Sequence, residues 1–167
     1  KPDVVVMLHP DYQYDGSYIP KLIAPILEGK YDCMFGSRMT TDDGAMKGGM
    51  PRFKYIINRM MTGIENFMLG KHLSEYMSGY RAYSREFLET VPFQRFSNDF
   101  VFDQQLMVAA VSFGFRIGEI PIKTRYHDEQ SSIMYVKGAK FLAETLWCLI
   151  RYRLHVGIRW PSDLFMP

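Results

Sequence analysis

Two apolar runs separated by a stretch of helical period constrain this chain most. Val4–Leu8 is uninterrupted and stops abruptly at His9-Pro10-Asp11, and "YDCMF" forms a second run at residues 31–35. Between them Ile19, Leu22, Ile23, Ile26 and Leu27 recur at the spacing of one helix face, and Gly29 closes the segment. Strand, helix and strand in this order make a βαβ unit, with a right-handed crossover between parallel strands. A continuous apolar run is the pattern of a strand buried on both faces of a parallel sheet. The expected class is therefore α/β, a mainly parallel sheet flanked by helices.

The rest of the chain fits that class. Residues 40–50, "TTDDGAMKGGM", carry no periodicity and are expected to be loop. Pro51 suits the first turn of a helix running to about Leu69, with a broad stripe from Phe53 to Met68. "SGYRAYS" reads as a turn and short strand, and Arg85–Thr90 as a short helix. Ser97 or Asn98 can cap a helix to about Phe113, ended by Gly114. "RIGEIPIKTRY" alternates as a strand, and 136–155 is a long, mostly apolar helix with Arg151 and Arg153 near its end. The expectation is one domain over residues 1–167.

A net charge of +2 gives no ground for a nucleic-acid partner. Two cysteines, Cys33 and Cys148, make no disulfide framework, so a reducing, cytoplasmic compartment is expected. No run reaches the roughly 18 apolar residues of a membrane span.

Ligands in open α/β sheets bind outside the carboxyl ends of the strands. Asp11 stands just past such an end, where a carboxylate can reach Mg²⁺ or Mn²⁺. Gln13 can add a carbonyl oxygen and His9 an imidazole; the competing reading is that these acids are turn residues. Arg38, in "GSR" after the second strand, is the strongest phosphate candidate. Lys47 and Arg52, beside Gly48 and Gly49, can also pair with phosphate, or they are the solvated start of a helix. Asp99 and Asp103 lie four apart on one helix face. Asp99 suits the macrodipole of a first turn, whereas Asp103 lies among Phe100, Val101, Phe102 and Leu106 and can act as a base. His72 and His127 read as surface or loop residues.

In order, "VVVMLHPDYQYDGSYIPKLIAPILEGKYDCMFGSR", "SGYRAYSREFLE" and "NDFVFDQQLMVAAVSFGFRIGEIPIKTRY" resemble the family 2 glycosyltransferases of the GT-A fold. The resemblance is to the dolichol- or polyprenyl-phosphate sugar transferase-like branch and covers nearly the whole chain. It implies a metal-dependent, inverting transfer from a nucleotide-diphosphate sugar to a polyprenyl phosphate or saccharide acceptor. Asp11 becomes the second acid of a DxD-type motif, with Gln13 following it. Arg38, Arg81 and Arg125 would handle phosphates, and Ser131 and Ser132 stand where the branch has a Gly-x-Ser-Lys segment. His9 replaces the motif's first acid, which alters the cation site. The branch opens with nucleotide-binding βα units that are not seen here, so the chain is expected to be the C-terminal part of such a domain and to self-associate. The 136–155 helix is expected to dock at a membrane surface, at the inner face of the membrane, or on a partner; the competing reading is a helix packed on its own sheet. The competing readings are a nucleotidyltransferase and a non-catalytic binding module.

Overall fold

The computed structural model of the chain describes residues 1–9, 13–40, 44–125 and 135–166. Its sheet has four strands, β1 (Val4–Met7), β2 (Cys33–Ser37), β3 (Arg81–Ser84) and β4 (Ile117–Pro121), in the order β1-β3-β2-β4. β3 is antiparallel to both its neighbours, and β2 and β4 are parallel. Three strands therefore share one direction and β3 alone is reversed. The expected crossover is present, since β1, the helix α1 (Ile19–Leu27) and β2 follow one another. But β3 is inserted between its two strands: Ala82 faces Val6 on one side and Met34 on the other. The sheet is mixed, and β1 lies at its edge with Val5 40% exposed. Its one neighbour is the antiparallel β3, where a parallel neighbour was expected. An apolar run fixes that a strand forms; it does not fix which strand lies beside it.

Alternation along the strands separates two cores. Met34 and Ala82 face Leu22 and Ile26 of α1. Cys33, Phe35 and Tyr83 face the other way, onto two later helices, α5 (Phe102–Ser112) and α6 (Tyr135–Ile158), which bring Leu106, Met107, Cys148 and Leu149. The sheet is thus covered on both faces, and its strand ends are left to carry polar groups.

Between β2 and β3 lie the short helix α2 (Gly44–Lys47) and the long helix α3 (Arg52–Leu69). α2 falls where loop was expected. α3 begins after Pro51 and stops at Gly70, whose φ of 64° is left-handed. The short α4 (Arg85–Thr90) follows β3, with the Ser84 hydroxyl accepting from the Phe87 N–H as its cap. α5 starts later than expected and has no side-chain cap. The polar side chains before it are used in a local turn: Ser97 Oγ accepts from the Asp99 N–H, and Asp99 Oδ1 from the Phe100 N–H.

Candidate active site at the end of β1

The segments leaving β1 and β4 are joined. Tyr14 and Thr124 form an isolated antiparallel bridge, and the Arg125 N–H donates to the Gln13 carbonyl at 3.2 Å. Below them runs the 76–81 segment. The Gly79 N–H donates to the Tyr14 hydroxyl at 3.2 Å, and the Tyr80 hydroxyl donates to the Asp15 carbonyl at 3.2 Å. The Asp15 carboxyl is held below its ordinary value by hydrogen bonds from Ser17, with the Arg125 charge adding to the effect.

His9 and Asp103 meet at this end of the sheet. Nε2 of His9 stands 3.9 Å from Oδ2 of Asp103, and both side chains reach solvent. The imidazole rests on Gly79: a Cβ built there would fall 2.6 Å from His9 Cε1 and 2.8 Å from Nε2. Gly79 does not take the left-handed φ of Gly29, Gly49, Gly70 and Gly114. A Cβ at this position would push aside the imidazole, the far end of a partly exposed side chain.

Arg81 fixes the floor. It is 1% exposed and donates to three carbonyls, Ser78 at 2.7 Å, Tyr76 at 2.7 Å and Asp103 at 2.6 Å. Its guanidinium also lies over the Phe35 ring. Its donors thus bind β3, the 76–78 turn and the first turn of α5 into one unit.

The other sequence candidates are dispersed. Arg38 is buried and turned inward onto Glu75, which accepts from both its backbone N–H and its guanidinium. Asn58 of α3 donates to the same carboxylate at 2.8 Å. Lys47 ends α2 and Arg52 opens α3, both exposed. Burial and the neighbouring Arg38 charge lower the Lys54 amine, so cationic side chains do cluster here. Asp99 lies ahead of α5 and not on a shared helix face with Asp103. It is paired with Lys140 at 2.6 Å, and that bond holds its carboxyl below the ordinary value. His72 is exposed in the turn after α3. Asp11, His127, Ser131 and Ser132 lie outside the described residues.

Sequence reasoning missed Gly79 as the seat of His9 and Glu75 as the partner of Arg38. The first carried a signal, a lone glycine amid "MSGYRAY"; the second carried one as well, an acid among the apolar residues of "HLSEYM".

An imidazole and a carboxylate are donor types that divalent cations accept. Adjacent ligands with bonds of about 2.1 Å stand about 3.0 Å apart and opposite ones about 4.2 Å, so the observed 3.9 Å is the spacing of neither. No cluster of three or more His, Cys, Asp or Glu side chains occurs among the described residues.

The model of the family described as glycosyl transferase family 2 matches residues 1–91. A dolichyl-phosphate hexose transferase of Haloferax volcanii is 30% identical over 124 residues, 73% of this chain and 50% of that protein. A UDP-N-acetylglucosamine–dolichyl-phosphate N-acetylglucosaminyltransferase of Methanococcus voltae is 27% identical over 124 residues, 74% of this chain and 49% of that one. Among solved structures, glucosyl-3-phosphoglycerate synthase of Mycobacterium tuberculosis in complex with UDP superposes with a TM-score of 0.68 at 17% identity. That match covers 98% of this chain and 52% of the synthase. The same synthase has been solved with Mn²⁺, UDP-glucose and phosphoglyceric acid, TM-score 0.62. The chain spans about half the length of these relatives, and its fold is a partial GT-A fold. With more than half of its residues matched by the family model, the chain belongs to glycosyl transferase family 2.

Proposed function

We propose that this chain forms the metal and acceptor part of an inverting glycosyltransferase. The donor is a nucleotide-diphosphate sugar and the acceptor a polyprenyl phosphate, with a saccharide hydroxyl as the alternative acceptor. The observation that carries the reading is the His9–Asp103 pair at the carboxyl end of β1. The two dolichyl-phosphate relatives support the acceptor class.

His9 and Asp103 would hold Mn²⁺ or Mg²⁺, with Asp11 and Gln13 from the adjoining loop. A bound cation neutralises negative charge on a departing diphosphate. The Arg125 backbone N–H donates to the Gln13 carbonyl, and the Arg125 charge acts on Asp15. Arg81 keeps Asp103 in position through its backbone carbonyl. An acceptor phosphate is already anionic and asks for no base. A hydroxyl acceptor asks Asp103 to take a proton. The exposed apolar side chains of α3 and α6 suit a membrane surface, where a polyprenyl acceptor resides.

Product analysis tests the reaction class. Incubated with UDP- and GDP-sugars, Mn²⁺ and a short polyprenyl phosphate, the protein should release nucleoside diphosphate and a glycolipid. Release of pyrophosphate in place of nucleoside diphosphate would overturn it. Asp103→Asn should lower kcat about 10²- to 10⁴-fold if the acceptor is a hydroxyl, the range of general-base catalysis. With a phosphate acceptor it should act mainly through metal affinity, and added Mn²⁺ should restore much of the rate.

A further inference from the structure

We propose that Glu75 is a positioning residue for the transfer: by clasping Arg38 and Asn58 it fixes the irregular segment 73–79 as a rigid floor on which His9 rests. The inference rests on the transferase reading above for what that floor serves.

Residues 71–80 join α3 to β3 with neither helix nor strand, and most of them are buried or half-buried. Such a segment has no ladder to satisfy its backbone, so its polar groups need partners from elsewhere. From Leu73 to Gly79 every residue bonds to a side chain from outside the segment. Asn66 of α3 takes both the N–H and the carbonyl of Leu73, at 2.9 and 2.8 Å. Glu119 of β4 accepts from the Ser74 N–H and hydroxyl, at 3.0 and 2.8 Å. Arg38 donates to the Met77 carbonyl at 3.3 Å. Arg81 donates to the Tyr76 and Ser78 carbonyls, and the Tyr14 hydroxyl accepts from the Gly79 N–H.

Glu75 is the carboxylate that the segment itself contributes. Its side chain is fully buried, and it accepts from the Arg38 N–H, from Arg38 Nε and from the Asn58 amide, each at 2.8 Å. It therefore draws the end of β2 and the first half of α3 onto the segment at one point, and it sets the direction of the guanidinium that reaches Met77. Hydrogen bonds to a charged group are worth more than neutral ones, and three converge here. Glu75 is thus the link whose loss frees the floor. The floor bears on the site because the ring atoms of His9 stand 2.6 to 2.9 Å from the Cβ position at Gly79. Glu75 touches no reacting group; it acts through the segment, and a misplacement of about 1 Å at a site can cost about 10²-fold in rate.

Nuclear magnetic resonance of the whole chain is the test, because it needs no turnover. In the wild type the His9 ring protons should show Overhauser contacts to the Gly79 α-protons, and the amides of 76–79 should exchange slowly. Glu75→Gln sets an amide N–H₂ against the donors of Arg38 and Asn58. It should abolish those contacts and speed exchange at 76–79 about tenfold or more, with the amides of β2, β3 and α5 unchanged. Val91→Ala, in the core beyond the opposite end of β3, is the control. Measured at the same distance below its melting temperature, it should keep both signals. In the transfer assay Glu75→Gln should lower kcat by up to about 10²-fold and leave the donor KM unchanged. Contacts missing from the wild type, contacts that survive in Glu75→Gln, or contacts that Val91→Ala loses as well would each overturn the inference and leave the transferase reading intact, as would a Glu75→Gln protein with wild-type kcat. Release of pyrophosphate overturns the transferase reading, and the Overhauser contacts still decide whether Glu75 sets the floor. Should Glu75→Gln fail to fold, Asn58→Ala removes one of the carboxylate's donors and is read by the same two signals.

Discussion

Glu65 of α3 is fully buried, and neither of its carboxyl oxygens has a hydrogen-bond partner. Burial pushes this carboxyl up to about 8; Arg81 opposes the shift and Glu75 reinforces it. Tyr76 and, on α6, Cys148 lie within reach of its charge. The native state therefore keeps the proton where the unfolded chain, at its ordinary value of 4.5, has released it. Between those two values the unfolded state binds fewer protons, so stability falls as pH rises and levels off above about 8. Glu65→Gln conserves volume and removes the titration. It should flatten the pH profile and leave the variant more stable than wild type at about pH 8, by a few kcal/mol on the order of magnitude of such shifts. Urea denaturation at several pH values reads this directly. Parallel pH profiles for the two proteins would show that Glu65 is ionised in the fold.

At the scale of elements, what the sequence made legible is what depends on local pattern. α3 and α6 were readable from their apolar period, their Pro51 start and the Gly70 stop, and β2 and β4 from short apolar or alternating runs. What stayed hidden depends on partners remote in the chain. The Val4–Met7 strand looks like an interior strand because all four residues are apolar, yet β3 takes the place beside β2. The site divides in the same way. His9 and Asp103 were each visible as candidates, but their approach across 94 positions is a product of the fold, as is the burial of Arg38 against Glu75. The edge position has a consequence. β1 presents an outer row of backbone groups that no described strand pairs. Such edges recruit other chains, and two-fold pairing is the commonest closed outcome. Self-association that grows with concentration is expected in sedimentation equilibrium, and Val5→Lys, placing a charge on the exposed side of that strand, should weaken it. A monomer at every concentration would mean that the edge is protected by its short length.

At the scale of the whole molecule, α3 and α6 together leave an unusual surface. Phe53, Ile56, Met60 and Phe67 are exposed along α3, and Trp147, Ile150, Leu154 and Ile158 along α6. The α3 set is spaced three, four and seven residues apart and the α6 set three, four and four, so each is one stripe on its helix. The stripes adjoin where Arg153 of α6 donates to the Phe67 carbonyl at 2.8 Å and lies over its ring. The charges around them are one-sided. Arg52, Lys54 and Arg59 have no exposed acid on α3, whose single acid, Glu65, is buried. On α6, Glu144 lies a turn from Lys140 in the N-terminal half, and the half that carries Ile150 and Leu154 holds Arg151, Arg153 and His155 and no acid, besides Tyr152 and the buried Cys148. No described helix is long and apolar enough to cross a membrane. Apolar stripes edged by cations are instead the pattern of a surface that lies on anionic lipid, with about 1 kcal/mol from each cation near the headgroups. The protein is expected to co-sediment with vesicles containing phosphatidylglycerol, to bind neutral phosphatidylcholine vesicles far more weakly, and to be released by high salt as the Debye length shortens. Ile56→Glu combined with Trp147→Glu should abolish co-sedimentation without lowering the melting temperature, because both side chains already face solvent. Equal binding to neutral and anionic vesicles would remove the electrostatic half of this account, and unchanged binding by the double variant would place the lipid contact elsewhere on the molecule.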